Sequence, residues 1–222
     1  MTQKWPELTL PEEEGKALRE AYEQAGVILE YGSGGSTVLA SRLPEKRVFS
    51  VESDRRWALS LQRMLDASDF PSIATLYHVD MGPSGAWGRP LNDREWPKFQ
   101  RYPMGIWTES FFRHPDVILI DGRLRPACFV TACLQITKPV TILFDDYTNR
   151  PRYQLVEHLI KPVALIGRMA KFQIEPQTWP SWIQAFLNEL VTDATYASES
   201  YNKHIAHYDS YDSVVLRQVG LI

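Results

Sequence analysis

From residue 27 onward the apolar residues gather in short, near-continuous runs separated by stretches with helical spacing. VILEY (27–31), RVFSVE (47–52), SIATLYHVD (72–80), DVILID (116–121) and TILFDD (141–146) have the length and character of strands. Between them STVLASRL (36–43), DRRWALSLQRMLDA (54–67) and RPACFVTACLQI (125–136) read as helices. Apolar strands alternating with helices predict a parallel sheet covered on both faces. RYQLVEHLI (152–160) predicts a further helix, and VALIG (163–167) with MAKFQI (169–174) a closing antiparallel pair. Ahead of the first strand, TLPEEEGKALREAYEQAG (9–26) predicts a helix. Thr9 and Glu12 have capping-box spacing, Ala17, Leu18, Ala21, Tyr22 and Ala25 share one face, and Gly26 stops it.

Beyond Trp179, SWIQAFLNELV (181–191) predicts a helix and SVVLRQV (213–219) a late strand. The connection between Asp80 and Asp116 is long, with four prolines before His114 and three of the seven tryptophans. A segment of this kind is either a lid over a binding site or a cover that shields the sheet. The expected organisation is one domain over residues 1–222, with an N-terminal helix in 1–26, an insertion or lid at 81–115 and a C-terminal extension at 176–222.

Composition narrows the function classes. The chain has 222 residues, 44% hydrophobic and 23% charged, and a formal net charge of −3. Those values fit a globular protein, and without a basic block electrostatics gives no support for nucleic-acid binding. The start has no apolar leader core and no run approaches a membrane span, so a cytoplasmic protein without a membrane partner is expected. Cys128 and Cys133 fit neither a zinc pattern nor a disulfide framework and are expected as buried thiols. His204 and His207 lie in HIAH without a metal-protease context and are expected at the surface.

Acids recur at the strand ends: Glu30, Glu52, Asp80, Asp121 and the pair Asp145 and Asp146. Ligands of parallel sheets bind beyond those ends, where strand order reverses. After the first strand Gly32, Gly34 and Gly35 allow a sharp turn and close backbone approach. A dinucleotide turn prefers G-x-G-x-x-G, but here Thr37 stands in place of the third glycine, and Glu30 would face an anionic pyrophosphate. S-adenosylmethionine carries a sulfonium and an amino group, both positive, and suits a carboxylate at the turn. Glu52 is placed to accept from ribose hydroxyls, and Asp80 from the adenine amine with Met81 packing on the ring. For Asp80 a turn-forming role before Gly82 is nearly as good an account.

Together ILEYGSGGS, SVES, HVD and VILIDG resemble the class I S-adenosylmethionine-dependent methyltransferases, in the same order over roughly residues 26–175. The resemblance implies a Rossmann-like, doubly wound α/β fold: a mostly parallel seven-stranded sheet, helices on both faces, and a final antiparallel strand. It also implies that Glu30, Gly32, Ser33 and Gly34 line the methionine end of the cofactor, with Ser36 beside them, Glu52 at the ribose, and Asp80 and Met81 at the adenine. Part of the pattern is similar to the cation-dependent O-methyltransferases, whose metal ligands match Asp121 and Asp145, but Asp146 stands where asparagine is expected. Arg123, Arg125, Arg150 and Arg152 can neutralise the same carboxylates, so arginine pairing is preferred to a divalent metal.

Methyl transfer needs an acceptor held in line and, for an alcohol or phenol, a general base. Asp121 is the first candidate and Asp146 the second, with a turn cap tied to Arg123 or Arg125 as the competing account of Asp121. His158 is expected to be structural and His114 to belong to the lid. The RLR (123–125) and RPR (150–152) pairs follow the fourth and fifth strands. Guanidinium forks recognise oxyanions, so Arg123, Arg125 and Arg150 are expected to meet an anionic small-molecule acceptor, or else to pair with the acids. Trp87, Trp96 and Trp107 are expected either to wall the acceptor pocket or to anchor the insertion, with Trp87 the chosen acceptor contact. A non-catalytic cofactor-binding module and an NAD(P)-dependent oxidoreductase are the alternatives.

Overall fold

A computed structural model describes residues 4–197. Its seven strands are β1 (Val27–Tyr31), β2 (Arg47–Glu52), β3 (Ile73–His78), β4 (Val117–Ile120), β5 (Val140–Phe144), β6 (Ala164–Ile166) and β7 (Met169–Ile174). They form one sheet in the order β3-β2-β1-β4-β5-β7-β6. The first five run parallel, and β7 lies antiparallel between β5 and β6. Strand order reverses between β1 and β4, so a ligand cleft belongs at their carboxyl ends.

Alternation along each strand sends side chains to two apolar layers. Ile28, Val48, Val117 and Leu119 pack with α1 (Glu12–Gln24), α2 (Gly35–Arg42) and α3 (Arg55–Asp66). Leu29, Phe49, Ile118 and Ile142 face the opposite layer. That layer contains the short helices α4 (Trp96–Phe99) and α5 (Arg101–Met104), then α6 (Arg125–Gln135) and α7 (Ile183–Thr192). Cys128 and Cys133 are buried free thiols on α6, as expected. Among the described residues no helix is long and apolar enough to cross a membrane.

Two elements differ from the sequence expectation. The first helix begins after Pro11 without a side-chain cap, so Thr9 and Glu12 form no capping box; Glu12, Glu13 and Glu14 instead place negative charge at the positive helix end. The segment Pro151–His158 is wound as a 3-10 helix, closed by bonds such as Tyr153 N–H to Arg150 O. Its rise of about 2.0 Å per residue covers more distance than an α-helix would. The late strand and HIAH lie outside the described residues.

The long connection is a cover over most of its length. Phe99, Tyr102 and Ile106 are buried in the core. Trp107 donates through Nε1 to the Tyr31 hydroxyl at 2.8 Å, and that hydroxyl donates to Pro103 O at 2.6 Å. Trp107 therefore anchors the insertion, while Trp87 and Trp96 remain exposed. His114 accepts from the backbone N–H groups of Thr137 and Lys138, which ties the end of this segment to the turn before β5.

Candidate active site

The glycine turn after β1 sits directly against the loop after β4. Gly32 has φ +99°, and a Cβ built on it would stand 2.9 Å from Gly122 Cα. A Cβ on Gly122 would meet the Tyr102 hydroxyl at 2.1 Å and Gly32 N at 2.7 Å. Neither position admits a side chain while the two turns touch. Gly122→Ala is expected to lower stability by about 1–3 kcal/mol through overpacking, read as a lower urea midpoint at unchanged slope. Wild-type stability in that variant would show that the two turns separate easily.

Glu30 lies behind this turn and not at its mouth. Being the fourth residue of β1, it faces α1 and α2, and it is fully buried. Tyr22 donates to its Oε1 at 2.7 Å, Thr37 to Oε2 at 2.6 Å, and Ser50 makes a third, short bond. Burial raises its pKa, and the hydroxyl donors oppose that shift. The Thr37 hydroxyl also accepts from Gly34 N–H at 3.0 Å, so the carboxylate shapes the turn through an intermediary. Direct contact with a ligand is replaced by this positioning role, because its oxygens are spent inside the protein. Ser36 is buried at the start of α2.

Glu52 closes the next corner. Its Oε1 accepts from the backbone N–H groups of Ser53 and Asp54, and its Oε2 from the Ser33 hydroxyl at 2.7 Å. A Trp57 indole N–H to Ser33 O bond and the Asp54 cap of α3 hold the same corner. Asp80 is exposed, caps Gly82 N–H, and pairs with Lys98 of α4 at 3.1 Å. Met81 is buried in the core layer.

The loops after β4 and β5 bring three carboxylates among three guanidiniums. Arg125 is only 6% exposed. It reaches Asp121 at 2.9 Å, Asp146 at 3.4 Å and Asp145 at 3.8 Å, and donates to the backbone oxygens of Gly122 and Asp145. Arg168, on the turn between β6 and β7, grips Asp145 with two bonds of 2.9 and 3.0 Å. Arg150 pairs with Asp146 at 3.2 Å and lies over the Tyr153 ring. Leu124 and Asp146 both hold left-handed backbone, with φ of 50° and 58°. Such strain persists only where the surroundings impose it, and it gathers at functional sites.

This pairing decides between the two expectations for Arg125: it points inward and its donors meet the chain's own oxygens, so it pairs with the acids and is not the expected acceptor contact. Arg152 pairs instead with Asp193, away from the cleft. Asp145 is buried, Asp146 is held by three guanidiniums, and Asp121 keeps 31% of its side chain exposed. Burial, with Asp145 and Asp146 adding to it against Arg125, pushes the Asp121 carboxyl up to about 7. Its backbone N–H bonds Tyr31 O at 3.0 Å, which sets it beside the residue that leads into Gly32. Among the described residues no group of three His, Cys, Asp or Glu side chains is arranged to hold a metal ion.

Sequence reasoning missed Arg168 and Tyr102. Arg168 follows Gly167 in a hairpin whose position beside β5 depends on topology alone. Tyr102 sits in the insertion, and its hydroxyl accepts from Arg123 N–H and donates to Val51 O, joining three chain segments at the cleft. No local signal marks either residue.

A cofactor with a cationic, phosphate-free end suits these residues. A Cβ built at Gly34 meets nothing within 4 Å, so the mouth of the turn is open. Asp121 presents a partly exposed carboxylate next to it.

No family model matches the chain, and no curated protein does. A solved methyltransferase-like protein from Silicibacter pomeroyi is 48% identical, covers 86% of this chain and 99% of its own, and superposes with a TM-score of 0.81. An O-methyltransferase from Bacillus cereus, solved with S-adenosylhomocysteine, is 20% identical over 67% of each chain, with a TM-score of 0.44. A Thermotoga maritima O-methyltransferase is 12% identical over 82% of this chain and 70% of its own, with a TM-score of 0.48. Strand order, glycine turn and the 48% identical relative together make the chain a member of the class I S-adenosylmethionine-dependent methyltransferase family, among its methyltransferase-like proteins.

Proposed function

We propose that the protein methylates a hydroxyl oxygen of a small acceptor that carries an anionic group. The observation that carries this reading is Asp121: a carboxyl raised to about 7, partly exposed, and fixed beside the glycine turn at the point where strand order reverses. The bound cofactor supplies a methyl group on a sulfonium sulfur, which keeps the pair of the broken carbon–sulfur bond. Ionised Asp121 takes the proton of the acceptor hydroxyl as the oxygen lone pair forms the new carbon–oxygen bond. Gly32, Ser33 and Gly34 hold the methionine end, Glu52 the ribose and Asp80 the adenine end. Arg125 holds Asp121 Oδ1 at 2.9 Å and, with Arg168, keeps Asp145 and Asp146 paired; Asp121 is the most exposed of the three carboxylates and is the one that exchanges a proton. Asp146 acts as a positioning residue for Arg125. Arg150, half exposed, and Arg123 remain for the anionic acceptor.

Calorimetric titration with S-adenosylhomocysteine and, in parallel, NADH tests the cofactor class. Saturable binding of the former alone is expected, followed by methyl transfer to anionic alcohols or phenols in preference to their neutral analogues. Binding of NADH alone would make the protein an oxidoreductase. Silence with both would make it a non-catalytic module.

A further inference from the structure

Every arginine around the Asp121–Asp145–Asp146 cluster has a carboxylate partner: Arg125, Arg150 and Arg168. Two others at the cleft do not. Among the described residues, the guanidiniums of Arg89 and Arg123 make no salt bridge and no hydrogen bond to the protein. Arg89 follows Gly88 in the insertion, whose carbonyl accepts from the Ser53 hydroxyl at 2.9 Å just after β2. Arg123 follows Gly122, and its N–H is held by the Tyr102 hydroxyl at 3.2 Å. The Tyr102 hydroxyl also bonds Val51 O, two residues before Ser53, so the two segments meet at the end of β2, each bringing an unpaired cation.

The sharper observation is Arg89 Nε, a buried donor without any partner. Leaving such a donor unmade costs about 1–3 kcal/mol. Two residues earlier Trp87 holds left-handed backbone, φ 62°, and the residue is 77% exposed. The same short segment therefore carries an unmet donor and a strained backbone. Glu52 Oε1 borders Gly88, but neither Glu52 oxygen bonds Arg89, whose Nε stays without a partner. Burial, with the Arg125 and Arg89 charges nearby, pulls Arg123 below the usual guanidinium value, as expected of a cation short of negative charge.

We infer that Arg89 and Arg123 form a two-guanidinium receptor for an oxyanion, a carboxylate or phosphate, on the methyl acceptor. Guanidinium forks match such oxyanions in geometry and charge. The occupant meets the unpaired Arg89 donor as the segment 86–90 adjusts around it. This inference rests on the methyltransferase reading for the identity of the ligand, but the anion site itself is measurable without cofactor.

The test is titration of the full chain with inorganic phosphate, followed by calorimetry and by thermal unfolding, for wild type, Arg89→Met, Arg123→Met and Arg89→Lys. Phosphate is expected to bind wild type and raise its Tm, and to bind the two methionine variants at least tenfold more weakly. The lysine variant, which keeps a charge, is expected to bind with intermediate affinity. Without phosphate Arg89→Met is expected to be no less stable than wild type, since its Nε–H has no partner to lose. Affinity for S-adenosylhomocysteine is expected to stay within twofold in all variants. Phosphate binding that is absent in wild type, or unchanged in both methionine variants, overturns the receptor. Loss of S-adenosylhomocysteine affinity with retained binding of 5′-methylthioadenosine, which lacks the carboxylate, also overturns it, by assigning the site to the cofactor. Wild type that binds phosphate but not S-adenosylhomocysteine supports the receptor and sinks the methyltransferase reading.

Discussion

Arg125→Met is expected to destabilise the fold by about 3–5 kcal/mol, the scale for removing one partner of a buried ionic group. The variant leaves Asp121, Asp145 and Asp146 facing one another with Arg168 and Arg150 as the remaining cations. It also strips donors from the backbone oxygens of Gly122 and Asp145, at 3.1 and 2.7 Å. Arg125→Lys keeps the charge but cannot reach all of these oxygens with a single ammonium, so an intermediate loss is expected. Urea unfolding checks both. The methionine deficit is expected to narrow as the pH falls towards about 7 and to level off below it, because loss of the Arg125 charge raises the Asp121 carboxyl further and the variant takes up its proton at higher pH than wild type. A deficit under about 1 kcal/mol at neutral pH, the value for an exposed pair, would mean that these carboxylates are solvated and that the cluster does not hold the two loops together.

Asp121→Asn is expected to lower kcat by about 10²–10⁴-fold, the usual contribution of a general base, with affinity for S-adenosylhomocysteine within twofold of wild type. The amide is nearly isosteric and keeps one acceptor oxygen for Arg125, so the comparison isolates the proton transfer. In wild type kcat/KM is expected to rise with pH through about 7, as Asp121 ionises, and the variant should lack that limb. Stability runs the opposite way. Asp121 binds its proton more tightly folded than unfolded, so its contribution is fully present below an ordinary carboxylate pKa of about 3.9 and declines as the pH rises to about 7. Asparagine cannot titrate and should lack that decline. Equal turnover in wild type and variant would remove Asp121 from the chemistry and leave it as a turn cap for Arg125.

Much of the fold was legible in local pattern. VILEY, RVFSVE and MAKFQI coincide with β1, β2 and β7, and RPACFVTACLQI with α6 to within a residue. The closing antiparallel pair was legible from two short apolar runs that leave no room for a crossover helix. The glycine turn was legible too, since Gly32 at positive φ has few substitutes. Trp107 was visible as either wall or anchor, and its bond to Tyr31 made it an anchor. The uncapped start of α1 and the 3-10 winding at 151–158 escaped because each depends on what the segment must span, not on its own composition.

The site divides along the same line. By itself the sequence determined that acids and arginines follow the strands of a parallel sheet, because strand length, side-chain period and turn chemistry are properties of adjacent residues. Only the tertiary structure decided which of those groups can meet a ligand. Glu30 is taken by Tyr22, Thr37 and Ser50, arriving from α1, α2 and β2. Asp145 is taken by Arg168, 23 residues further along the chain. Asp121 keeps a partly open face, and Arg89 and Arg123 keep their charges unpaired. Burial and pairing are set by neighbours distant in sequence, and they decide whether a carboxylate or a guanidinium is spent on the fold or remains for chemistry.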